Sequence, residues 1–179
     1  MVAELVVVVG DVESMAVIDN EVFVVTTSSS TIKVYDAHPF MVRQVSAITV
    51  EGLKYPFEIV ACHDDRQLYV VDIGCIWRVS VDDHSYVKWM TTKSSTDTST
   101  DKVNSSGMLS LTSRRLLMTS SEPPTLHQYN TVDGQLLRVV QLPQYMKWLY
   151  HAVETTRGTF VVAHSGTSQS QDKLQHAVS

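Results

Sequence analysis

Short runs of apolar residues, five to seven positions long and rich in Val, Ile, Leu, Tyr and Phe, recur along the chain between turn-forming residues. Four of them align: EVFVVTT (Glu21 to Thr27), QLYVVDI (Gln67 to Ile73), RLLMTSS (Arg115 to Ser121) and GTFVVAH (Gly158 to His164). With Phe23, Tyr69, Leu117 and Phe160 taken as equivalent, the spacings are 46, 48 and 43 residues. A polar turn precedes each run, and another short apolar segment precedes each turn: SMAVI, FEIVA, GMLSL and LYHAVE. Such runs, enriched in β-branched and aromatic residues and bounded by Asp, Asn, Ser and Gly, predict strands joined by hairpins.

The residues after each run repeat as well. TIKVYDA (Thr31 to Ala37), CIWRVSV (Cys75 to Val81) and TLHQYNT (Thr125 to Thr131) hold equivalent places, and KLQHAVS (Lys173 to Ser179) holds the fourth. A closing strand follows in three copies: MVRQVSAITV, SYVKWMTT and GQLLRVVQL, the last entered through the Asp133-Gly134 turn. A four-stranded antiparallel unit repeating at this period is the signature of a β-propeller. The expectation is an all-β fold of about four blades in one domain over residues 1–179, either a closed four-bladed ring or part of a six-bladed one. Its repeats fall near 10–52, 53–98, 105–143 and 144–179. Runs apolar on both faces, such as Val22 to Val25, fit blades packed on both sides.

Three segments stand outside the regular pattern. Leu5 to Val9 forms an unclaimed strand, expected to pair beside Lys173 to Ser179 and so complete the last blade. Residues 91–107 are Ser/Thr/Asp-rich and expected to form a flexible loop; they include the glycosylation pattern Asn104-Ser105-Ser106. MKWLYHAVET (Met146 to Thr155) has spacing that would also suit a helix, but it occupies an innermost-strand slot and is read as a strand.

GLKYPFEIVACHDDRQLYVVD (Gly52 to Asp72) resembles the NHL-type repeat, in which a Gly-Leu-x-x-Pro turn leads into a strand, a polar turn and a strand ending in Asp. DGQLLRVVQLP (Asp133 to Pro143), followed by HAVETTRGTFVVAH (His151 to His164), is similar to NHL repeats of animal propeller proteins. The resemblance implies a rigid scaffold presenting loops to protein or RNA. NHL-type propellers usually have six blades, which leaves open a shortened ring, a four-bladed ring or pairing with a second copy. A ubiquitin-ligase role, known for some NHL-bearing proteins, would need zinc-binding domains that this sequence lacks.

Composition narrows the chemistry. A net charge of −5 at pH 7, with Lys and Arg scattered, argues against a general nucleic-acid footprint. The amino terminus has no basic stretch of the signal-peptide kind, and no apolar run is long enough to span a bilayer as a helix, so a cytoplasmic protein without membrane partners is expected. The clusters His63-Asp64-Asp65 and Asp82-Asp83-His84 would fall in two hairpin turns of one blade, on the same rim but about 10 Å apart. They read as solvated turns in preference to a metal site. Cys62 and Cys75, two strands apart, exceed the reach of a disulfide and read as free thiols.

No cofactor, metal or catalytic residue is expected. Some related-looking propellers are metal-dependent lactonases or esterases, but the innermost strands here offer only Glu58, His151 and Glu154 as ligands. The leading expectation is a non-catalytic scaffold binding protein partners through one loop rim, with RNA as a lesser alternative and a homodimer if the ring is incomplete. Its speculative contacts are Tyr55, Asp72, Tyr145, Trp148 and His164. The rim itself would run through Gly52 to Tyr55, Asp72 to Gly74, Ser120 to Thr125, Tyr145 to Trp148 and His164 to Gly166.

Overall fold

A computed structural model describes residues 11–38, 41–91, 108–112, 114–165 and 177–178. The Leu5 to Val9 strand, most of the 91–107 loop, Gly166 of the expected rim and Lys173 to His176 lie outside the described residues. Among the described residues every regular element is a strand, and no helix is long and apolar enough to cross a membrane. The chain divides into two compact units, Met1–Thr91 and Thr92–Ser179.

The first unit holds two four-stranded antiparallel sheets. In one, β1 (Val12–Ile18), β2 (Glu21–Thr26), β3 (Thr31–His38) and β4 (Met41–Thr49) lie side by side in chain order. In the other, β5 (Glu58–Cys62), β6 (Gln67–Asp72), β7 (Cys75–Ser80) and β8 (Tyr86–Thr91) do the same. Consecutive order follows from the short turns, since neighbouring antiparallel strands need only a hairpin between them. The turns use residues that tolerate left-handed backbone: Asp19 at φ +54° between β1 and β2, and Gly74 at +75° between β6 and β7.

The two sheets of this unit share a core. Phe23, Val25, Ile32, Val34 and Ile48 of the first sheet belong to one cluster with Ile59, Leu68, Val70, Trp77 and Val79 of the second. Val24, pointing the other way from Phe23 and Val25 on β2, is equally buried. That two-sided burial is why Val22 to Val25 carries no polar alternation. Each such aliphatic side chain contributes on the order of 1.5–3 kcal/mol.

The second unit repeats the scheme. β9 (Leu109–Thr112), β10 (Arg115–Ser121), β11 (Pro124–Asn130) and β12 (Leu136–Gln141) form a four-stranded sheet. β13 (Lys147–Glu154), β14 (Phe160–Ser165) and β15 (Ala177–Val178) form a three-stranded one. MKWLYHAVET therefore supplies a strand, as its slot in the repeat required. Leu117, Leu126, Leu142, Met146, Leu149, Ala152 and Phe160 form the core between the sheets. Polar ties cross the same gap: Ser110 Oγ donates to the Ala152 carbonyl, and Gln128 Nε2 donates to Glu154 Oε2 at 2.8 Å.

Candidate interaction site

In the first unit the β4–β5 connection and the β6–β7 turn meet through one carboxylate. Asp72, 3% exposed at the end of β6, accepts the backbone N–H of Tyr55 at 2.8 Å and of Ile73 at 2.8 Å through Oδ1. Its Oδ2 accepts the N–H of Lys54 at 3.1 Å and the indole N–H of Trp77 at 3.4 Å. Gly52, at φ +92°, lets the loop pass over the indole: a β-carbon there would stand 3.3 Å from Trp77 Cη2. Leu53 and Pro56 are buried, while Tyr55 and Ile73 stand exposed at the loop tips. Asp72 is therefore a positioning group whose acceptor capacity is spent within the fold. Ile73, inside the expected Asp72 to Gly74 rim segment though not among its named contacts, is the residue that projects from its turn.

In the second unit the corresponding end is shaped by β13. Its register against β14 runs Lys147 opposite Ser165, Leu149 opposite His164, then His151 opposite Ala163. Two residues of β13 thus face one of β14 twice in succession, a pair of β-bulges whose extra residues are Trp148 and Tyr150. Leu149 between them stays buried in the core. Trp148 is 69% exposed and sits at φ +50°, a backbone region costly for a bulky residue. Tyr150 is also exposed, and its hydroxyl donates to Ser165 Oγ at 3.2 Å.

The neighbouring rings complete an aromatic end. Tyr145 packs edge-on against His164 with ring centroids 6.1 Å apart, and His164 Nδ1 is buried without a hydrogen-bond partner among the described residues. Ser121 Oγ, at the end of β10, accepts the N–H of Leu149 at 3.2 Å and holds the bulged strand against that strand end. Tyr145, Trp148 and His164 are thus neighbours at one end of the second unit. Tyr150 escaped sequence reasoning because simple alternation along KWLY assigns it no special place. The one available signal was that two large aromatic residues flank a core leucine.

The opposite turns of the first unit carry the acidic clusters. Arg66, following His63-Asp64-Asp65, directs Nε to Asp82 at 2.6 Å, Nη1 to Asp19 and Nη2 to Glu21 at 3.7 Å. The sequence reading left Arg66 unassigned; here its guanidinium gathers carboxylates from the turns of both sheets. Asp83 is bonded by Ser80 and Ser85 side chains, which hold its carboxyl down at about 2. Among the described residues, no group of three or more His, Cys, Asp or Glu is placed to hold a metal ion.

Cys62 and Cys75 are both free and buried. Burial pushes both thiols up from their ordinary range. Of the lactonase-like trio, Glu58 is buried in β5, whereas His151 is exposed on β13. Glu154 is engaged by Arg115 at 3.3 Å as well as by Gln128.

Antiparallel four-stranded sheets in sequential order, repeating along the chain, define a β-propeller of about four blades, and solved structures agree. The β-propeller domain of Cps50 (Swd1) from Myceliophteria thermophila matches with a TM-score of 0.58 and 9% identity, over 86% of this chain and 49% of that one. A putative 6-phosphogluconolactonase from Bacteroides uniformis matches with a TM-score of 0.62 and 15% identity, over 86% of this chain and 47% of that one. The computationally designed Ika4 protein matches with a TM-score of 0.55 and 14% identity, over 88% of this chain and 92% of that one. The chain thus spans about half the length of the first two. No protein-family model and no curated protein matches the sequence.

Proposed function

We propose that this chain is a non-catalytic, NHL-type propeller scaffold that binds a cytoplasmic protein partner through loop-rim residues Tyr55, Tyr145, Trp148 and His164, with Asp72 holding the Tyr55 loop in place. The observation that carries the reading is Trp148: a large aromatic residue held out of the sheet by a bulge, in a costly backbone conformation, and exposed. Unfavourable backbone conformations concentrate at functional sites, and exposed aromatic residues are the usual anchors of protein interfaces. The NHL-type assignment is supported by the work its motif does. Gly52 supplies the positive φ, Leu53 and Pro56 anchor the loop by burial, and Asp72 closes it.

The test uses peptides selected from a displayed random library on the folded chain. Binding should fall at least tenfold in Trp148→Ala, with thermal unfolding unchanged because the side chain is exposed. Peptides that bind Trp148→Ala and Tyr55→Ala as tightly as the unaltered chain would remove this rim from the reading.

A further inference from the structure

From Glu154–Phe160 through His151–Ala163, β13 pairs with β14 residue for residue. Continued, that register would set Tyr150 opposite His164 and Leu149 opposite Ser165. The strand instead sets Leu149 opposite His164 and Lys147 opposite Ser165. Phe160 and Val162 pack on the core, His164 follows on their side of β14 by alternation, and residues opposite one another share a face. The place opposite His164 is therefore a core position, and the bulges decide whether Leu149 or Tyr150 fills it. Leu149 does, 3% exposed and in one cluster with Leu117, Leu126, Leu142, Met146 and Phe160. Its N–H donates to Ser121 Oγ at the end of β10.

We infer that the Tyr150 hydroxyl selects this bulged register, and that Tyr150 and Ser165 are the positioning pair that keeps Trp148 outward. The hydroxyl acts in two ways. In the core position it would be buried among hydrocarbon side chains, which costs the hydrogen bonds it makes in water. Outside, it donates to Ser165 Oγ at 3.2 Å while Tyr150 stays 54% exposed, so the bulged register keeps it satisfied. Trp148, one residue from the Leu149 anchor, is then carried at φ +50° with 69% of its surface exposed. The pair works through the backbone of β13 and is separate from the contacts proposed for the rim. Only the last step, that Trp148 meets the partner, rests on the rim reading.

The experiment joins NMR of the full chain to binding of the library-selected peptides, for Tyr150→Phe, Ser165→Ala, their double variant, Ser165→Thr and Trp148→Ala. Tyr150→Phe keeps the ring and removes the hydroxyl alone. Cross-strand contacts should join Leu149 to His164 in the unaltered chain, and contacts from position 150 to His164 should appear in Tyr150→Phe. Tyr150→Phe and Ser165→Ala should each weaken binding about fivefold, the scale of one hydrogen bond. The double variant should be no weaker than either, because both remove the same bond. Ser165→Thr, which retains a hydroxyl, should bind as the unaltered chain does. A Tyr150→Phe chain that shows only the Leu149–His164 contact overturns the inference, and so do losses that add in the double variant. If the register changes in Tyr150→Phe but Trp148→Ala binds normally, the inference stands and the rim reading falls. If Trp148→Ala loses binding while Tyr150→Phe keeps both register and binding, the rim reading stands and the inference falls.

Discussion

Asp72 Oδ1 accepts the backbone N–H of Tyr55 at 2.8 Å, joining a loop before β5 to the turn after β6. Three further donors, from Lys54, Ile73 and Trp77, converge on the same buried carboxylate. A charged acceptor satisfying several backbone N–H groups lets the loop stay ordered without strand partners of its own.

Replacing Asp72 with Ala would strand those donors, and the expected loss of stability is about 2–3 kcal/mol. Asp72→Asn retains one acceptor oxygen and should lose less. Urea unfolding followed by tryptophan fluorescence reads both variants, since Trp77 lies at the carboxylate. If Asp72→Ala unfolded at the same midpoint, the carboxylate would not be what orders the loop.

Gly52 combines positive φ with close approach to Trp77. Gly52→Ala places a methyl group in a left-handed backbone against the indole, and a cost of about 1–2 kcal/mol is expected. The melting temperature should fall, accompanied by a change in Trp77 emission. Gly158→Ala, also at positive φ but with open space around it, should show the backbone strain without a tryptophan response.

Asp83 has a carboxyl lowered to about 2, chiefly by the Ser80 hydroxyl and next by Ser85. A group depressed in the folded state stabilises above its unfolded pKa, near 3.8, and that contribution disappears as pH falls through about 2. Stability measured from pH 5 to pH 2 should therefore decline less steeply in Asp83→Asn. A carboxyl carbon resonance for Asp83 that titrates near 4 would contradict the assigned hydrogen bonds.

Arg66 holds Asp19, Glu21 and Asp82 at a half-exposed junction. Exposed ion pairs are weak individually and screened by salt. Arg66→Met should produce a small loss of stability at low ionic strength that shrinks by 1 M NaCl. A loss independent of salt would assign Arg66 a packing role through its aliphatic stem.

Cys62 and Cys75 should react with a thiol reagent only as the chain unfolds, because both are buried and burial raises their pKa values. Thiol titration with and without denaturant checks this. Rapid modification of the native chain would mean that the strand ends open readily.

The strand content was legible because it is a local property. Runs such as Val22 to Val25, the turn at Asp133-Gly134 and the 43- to 48-residue spacing of equivalent apolar positions specify four repeating units, and even KWLYHAVE was assignable from its place in the repeat. The positions of Cys62 and Cys75 in β5 and β7 also followed, since strand order is consecutive when the turns are short. Tertiary structure alone decided that Trp148 and Tyr150 bulge from β13, that Asp72 is an internal acceptor, and that Arg66 draws Asp19 and Asp82 together. Period-two alternation records which side of a strand is apolar. Bulges, shared acceptors and ion pairs depend instead on register against strands and turns far away in sequence, which no local pattern encodes.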